Sequence, residues 1–137
     1  MYEKLNQYLF NSSLGDYWYD EGNIIATDIL KKFSESDWEK LLDDISSKSI
    51  EWQIQFAYCA PEINNEFLIR SLILLASIDN DELFKTCIDT LRVIINLDNK
   101  LIIASDKAML ERIEKILKKC DNATRIVFED FVAKLQK

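Results

Sequence analysis

Apolar residues recur at spacings of three and four along almost the whole chain, and sustained alternation is scarce. That pattern marks amphipathic helices rather than strands. It predicts a first helix over 2–10, with Leu5, Tyr8 and Leu9 inward, and a connection over 11–19 that holds Gly15 and the run Tyr17-Trp18-Tyr19. A second helix is expected over 21–33, with Ile25, Ile29 and Phe33 at spacing four. Ser34-x-x-Asp37 opens the third, whose stripe is Trp38, Leu41, Leu42 and Ile45. In this variant capping box the serine oxygen accepts a first-turn N–H, and the acid suits the positive helix end. Ser49 caps a fourth helix that reaches about Ala60, before Pro61. Asn64 or Asn65 opens a fifth helix to Ser77, and a turn over 79–82 leads into a sixth that reaches about Leu97. The stretch 98–104 stays open between helix and loop. Ser105 is expected to cap a seventh helix to Lys119, and a last one covers 123–135.

These helices repeat. A shift of 31 residues carries Leu41 onto Leu72, Leu42 onto Ile73 and Ile45 onto Ala76. The same shift carries Trp52 onto Leu83, Phe56 onto Cys87, Ala57 onto Ile88, Ala60 onto Leu91 and Ile63 onto Ile94. Apolar falls on apolar across two helices with one unchanged shift, as expected of stacked helical pairs that bury their faces against their neighbours. The pair over 105–135 shows the pattern with a longer spacing. The expected fold is all-α, with antiparallel pairs stacked as a short right-handed solenoid of about eight helices, and one domain spans 1–137.

Composition narrows this further. Only two glycines and one proline occur in 137 residues, so turns are few and elements long. A chain of this size forms one domain and buries roughly 68% of its unfolded surface. No stretch approaches the ~18 apolar residues of a membrane span, and Met1-Tyr2-Glu3-Lys4 lacks the basic-then-apolar start of a secretory leader. Cys59, Cys87 and Cys120 are isolated, odd in number and set among apolar neighbours, which fits buried thiols in a reducing cytoplasm. The net charge of −7 is uneven: 13 acids and 5 bases over 1–66, against 11 acids and 12 bases over 67–137. An acidic first half repels nucleic acid and attracts basic partners.

Candidate chemistry is sparse. The chain has no histidine, which removes Ser-His and Cys-His nucleophiles and most zinc sites. No glycine-rich phosphate loop exists. Asp79-x-Asp81 begins like a calcium loop, but Thr90 stands where the bidentate acid belongs. Asp43-Asp44 and Glu129-Asp130 are charges of outward helical faces, and Lys31-Lys32 and Lys118-Lys119 are helix ends. Neither an enzyme nor a metal or cofactor site is expected. What remains is surface. Glu51, Gln55, Tyr58 and Glu62 form a stripe on the fourth helix, and the repeat shift carries the first three onto Glu82, Thr86 and Asp89. Second helices usually line the concave side of such a stack, so these residues would make one polar ridge. Asp16-Tyr17-Trp18-Tyr19-Asp20-Glu21 is the second candidate. Three successive aromatics cannot all face one core, so one or two are expected to be exposed anchors for a partner; the alternative is that they staple the first helix to the second.

The residues Asp16-Tyr17-Trp18-Tyr19, Ile29 to Ser34, Asp37-Trp38, Leu41, Glu51-Trp52-Gln53 and Ala57-Tyr58 resemble HEAT-repeat-like immunity proteins of bacterial contact-dependent growth inhibition and related polymorphic toxin systems. The likeness extends over roughly 2–97, with 80–91 similar to the second helix of a HEAT repeat. It departs from the consensus in lacking a first-helix proline and in carrying Gln53 or Gln55 where a basic residue is common. The resemblance implies a cytoplasmic antitoxin, monomeric when free, that occludes a cognate toxin C-terminal domain. Such toxins are commonly nucleases with basic grooves, which the acidic first half would suit. The alternative is a HEAT- or TPR-like adaptor or assembly chaperone for a housekeeping protein.

Overall fold

The computed structural model describes residues 1–12, 15–60 and 65–136; Glu62 and Ile63 fall outside them. Nine α-helices and no strand occur among the described residues. They are α1 (Tyr2–Asn11), α2 (Asn23–Lys31), α3 (Glu35–Asp44), α4 (Ile50–Cys59), α5 (Glu66–Ala76), α6 (Asp81–Ile94), α7 (Lys100–Ala104), α8 (Lys107–Leu117) and α9 (Asn122–Gln136). None of them is long and apolar enough to cross a membrane.

The caps fall where short polar side chains satisfy first-turn donors. Ser34 and Asp37 form the reciprocal capping box of α3. Ser49 accepts from the Trp52 amide at 3.1 Å, Asn65 from Phe67 at 2.8 Å, and Asn80 from Leu83 at 2.9 Å. At α8 the cap is Asp106, which accepts from Met109 at 3.0 Å, one residue beyond the expected Ser105. The sixth helix stops at Ile94 rather than Leu97, because the Asn99 amide donates to the Ile94 carbonyl at 2.8 Å and an Asn96–Asn99 turn takes over. The short α7 then fills most of the stretch left open in the sequence.

The largest departure lies near the start. Helical backbone begins at Asp16, and Trp18–Gly22 forms a π-helical turn that runs straight into α2. Asn23 Nδ2 donates to the carbonyls of Trp18 at 2.7 Å and Tyr19 at 3.0 Å, satisfying groups within the widened turn. Tyr8 donates its hydroxyl to the Gly22 carbonyl at 3.0 Å. A Cβ on Gly22 would lie 3.2 Å from the Trp18 ring and 3.3 Å from that of Tyr17, so hydrogen is what fits there. The inward side of α2 is Ala26, Ile29 and Leu30, and Ile25 is exposed, contrary to the expected spacing. The small Gly22 and Ala26, both buried, let this segment approach its neighbours closely and leave the bulkier Ile25 outside.

Among the described residues α1 touches α3 and α3 touches α5, while α2 touches α4, α4 touches α6 and α6 touches α9; α1 also reaches α4. The starts of α3 and α4, of α5 and α6, and of α8 and α9 are each fifteen residues apart, at Glu35 and Ile50, Glu66 and Asp81, and Lys107 and Asn122. Residues related by the 31-residue shift are buried alike: Leu41 and Leu72, Ile45 and Ala76, Trp52 and Leu83, Phe56 and Cys87, Ala57 and Ile88. They belong to a single hydrophobic core that runs the length of the molecule.

Asp37 ties the start of α1 to the start of α3. Its Oδ1 accepts from the Tyr2 amide at 3.1 Å and pairs with the N-terminal ammonium at 3.5 Å, while Oδ2 accepts from the Ser34 amide at 2.9 Å. The Ser34 bond, then those of Tyr2 and the ammonium, hold its carboxyl at about 2, below the ordinary 3.8. A depressed carboxyl stabilises the fold above its unfolded value and loses that contribution as pH falls from about 4 to about 2. Asp37→Asn is expected to cost about 1–2 kcal/mol at neutral pH and to flatten this part of the acid-unfolding curve, as read by urea denaturation at pH 7 and pH 2.5.

Candidate functional site

Helices α2, α4, α6 and α9, with Tyr19 of the π turn, line a groove of about 630 Å³. Tyr19, Asn23 and Thr27 form one wall, and Ile54, Tyr58, Cys59 and Ala60 come from α4 and its end. From α6 come Lys85, Thr86, Asp89, Thr90, Val93 and Ile94, and α9 closes the far side with Ala123, Thr124, Val127 and Phe128. The floor is apolar and the walls carry hydroxyls. Tyr19 and Tyr58 meet edge to face, ring centroids 4.9 Å apart, and each is 42% exposed. Partial burial, with the Glu82 carboxylate and Tyr58 nearby, pushes the Tyr19 phenol above its ordinary range, so it is neutral at physiological pH.

The groove gathers Tyr19, Tyr58, Thr86 and Asp89 from the residues singled out in the sequence, with Glu82 beside them. Asp89 is engaged by Arg92, which donates to it at 2.6 and 3.2 Å and reaches Asp130 at 3.2 Å. Asp16, Tyr17, Asp20 and Glu21 are exposed around the π turn, and Glu51 is exposed on α4. Glu62 lies outside the described residues.

Two expected surface residues are core. Trp18 is 1% exposed, because the π turn swings it inward against Tyr8 and leaves Tyr17 and Tyr19 on either side facing outward. Of the three aromatics, one is therefore a staple and two are exposed. Gln55 is 0% exposed: α1, α2 and α6 all contact α4, and only Ile50, Glu51 and Tyr58 clear them. Among the described residues neither polar atom of the Gln55 amide has a hydrogen-bond partner, nor do the indole N–H groups of Trp18 and Trp52. The polar ridge is thus interrupted at Gln55, and what the repeat lines is a groove with an apolar floor. The α9 contribution was missed, although aligning the starts of α6 and α9, a shift of 41 residues, carries Glu82 onto Ala123 and Thr86 onto Val127, both in the wall.

Burial pushes the Cys59 thiol well above the ordinary range and that of Cys87 up to about 12. Both stay protonated at physiological pH, and Cys59 Sγ donates to the Phe56 carbonyl at 3.4 Å. Among the described residues no group of three or more cysteine or carboxylate side chains is placed to hold a metal ion. No protein-family model matches the chain, and no curated protein or solved structure matches it.

A buried amide without partners costs more than an apolar group of the same shape. Gln55→Met is therefore expected to raise the stability to chemical denaturation by about 1 kcal/mol. A loss of about 2 kcal/mol or more instead would mean that the amide has a partner in solution, such as a buried water.

Proposed function

We propose that this protein acts by binding another protein in the groove of its second helices, as an antitoxin-type immunity protein that occludes a cognate toxin domain. The single observation that carries the reading is the groove itself. Four helices contribute to it, and its rim presents two half-exposed tyrosines, the kind of anchor that dominates protein interfaces. In this reading α1–α2, α3–α4, α5–α6 and α8–α9 are antiparallel pairs of a short right-handed HEAT-like solenoid, and the groove is its concave face. The contacts of α1 with α3 and α3 with α5, and of α2 with α4, α4 with α6 and α6 with α9, support that arrangement, as does the fifteen-residue spacing in three of the four pairs.

Charge supports the choice of partner. In the first half, Asp16, Asp20, Glu21, Asp28, Glu35 and Glu39 are all exposed. Such a surface speeds encounter with a basic protein and weakens contact with nucleic acid. A nuclease toxin, whose substrate path must itself be basic, has the complementary surface.

Calorimetric titration with the toxin C-terminal domain encoded immediately upstream tests the proposal. Tight binding that loosens several-fold between low and high salt is expected, because exposed charges are screened over about 8–10 Å. No binding to that domain would remove the antitoxin reading and leave a housekeeping client as the partner to seek.

A further inference from the structure

The side chains around the groove have a common feature. Each threonine hydroxyl has its proton turned back into the protein: Thr27 to the Cys59 carbonyl at 2.7 Å, Thr90 to the Ala57 carbonyl at 2.7 Å, and Thr86 to the Glu82 carbonyl at 2.9 Å. Thr124 completes the set with a side-chain bond to the Asp121 carboxylate. Asn23 spends its amide nitrogen on two carbonyls, so its oxygen is what remains. A hydroxyl whose proton is committed offers a visitor only lone pairs. The walls are therefore rich in acceptors, apart from the Tyr19 and Tyr58 hydroxyls and one lining cation, Lys85.

Lys85 stands toward α9, close enough for its charge to help lower the Asp121 carboxyl. One turn earlier on α6, the Glu82 carboxylate is close enough to Tyr19, which meets Tyr58 edge to face, to help raise its phenol. Aromatic faces, a carboxylate and a row of acceptors together match a planar cation with many donors. Guanidinium, with five N–H groups and a face that stacks on aromatic rings, is that group; ammonium has three donors and stacks less well.

We propose that the groove recognises an arginine of an apolar-flanked segment of its protein partner, the guanidinium seated at the Tyr19–Tyr58 pair beside Glu82 and the flanking apolar side chains on the floor. This rests on the groove's being the binding face and adds the chemistry it selects. Apolar flanks are required because the exposed Val93 and the half-buried Val127 line the groove, and a lone arginine would leave them uncovered.

Selection of a displayed library of random linear peptides against the full chain tests it. Peptides with arginine between apolar residues should be enriched, and replacing that arginine by neutral, isosteric citrulline should weaken binding about tenfold. Tyr58→Phe, which keeps the ring, should retain binding, and Tyr58→Leu should lose it, with circular dichroism confirming that both fold. Enrichment of neutral or acidic peptides, enrichment indifferent to Tyr58→Leu, or no enrichment at all would overturn the proposal. Peptide selection does not depend on the toxin's identity. Arginine peptides without toxin binding would sink the antitoxin reading alone, and toxin binding without arginine selection would sink this one alone.

Discussion

The last carbonyls of a helix have no partner within it, and where the end is buried something else must supply donors. Helix α4 is in that position, with every residue from Trp52 to Ala57 buried and Cys59 with them. Three donors meet the need. The Cys59 thiol takes the Phe56 carbonyl, Thr90 of α6 takes that of Ala57, and Thr27 of α2 takes that of Cys59. The helices on either side of α4 are thus fastened to it by bonds that its own burial demands. The same bonds turn the threonine protons away from the groove, so a requirement of the fold sets the polarity of the site.

Much of the fold was legible because helix periodicity and caps are local. The Ser34–Asp37 box, Ser49, Asn65 and Asn80 read directly from the sequence, and the 31-residue shift found positions that are buried in both copies. What escaped depends on several chain segments at once. A π turn leaves little periodic trace, so 16–19 read as part of a connection and Ile25 as core. Gln55 read as surface because its stripe is polar, and only the crowding of α4 by three helices buries it.

The candidate site was legible in outline. Tyr58, Thr86 and Asp89 were set together by the repeat, and Tyr19 joins them through its contact with Tyr58. Its far wall was hidden because α7 lengthens the connection to the last pair and breaks the 31-residue register, while the fifteen-residue spacing inside the pair persists. The groove carries few committed charges, and Asp89 is held by Arg92. Specificity in such a site falls to shape, aromatic anchors and acceptors, with the exposed acids of the first half acting on encounter.

The most direct measurement compares the affinity of two variants for the cognate toxin domain. Tyr58→Ala alters the groove, and Leu101→Ala alters a 76%-exposed apolar residue on α7, outside the groove lining. The account predicts that the first weakens binding about tenfold or more while the second leaves it unchanged. Loss with Leu101→Ala and none with Tyr58→Ala would contradict it and place the interface on the α7 surface.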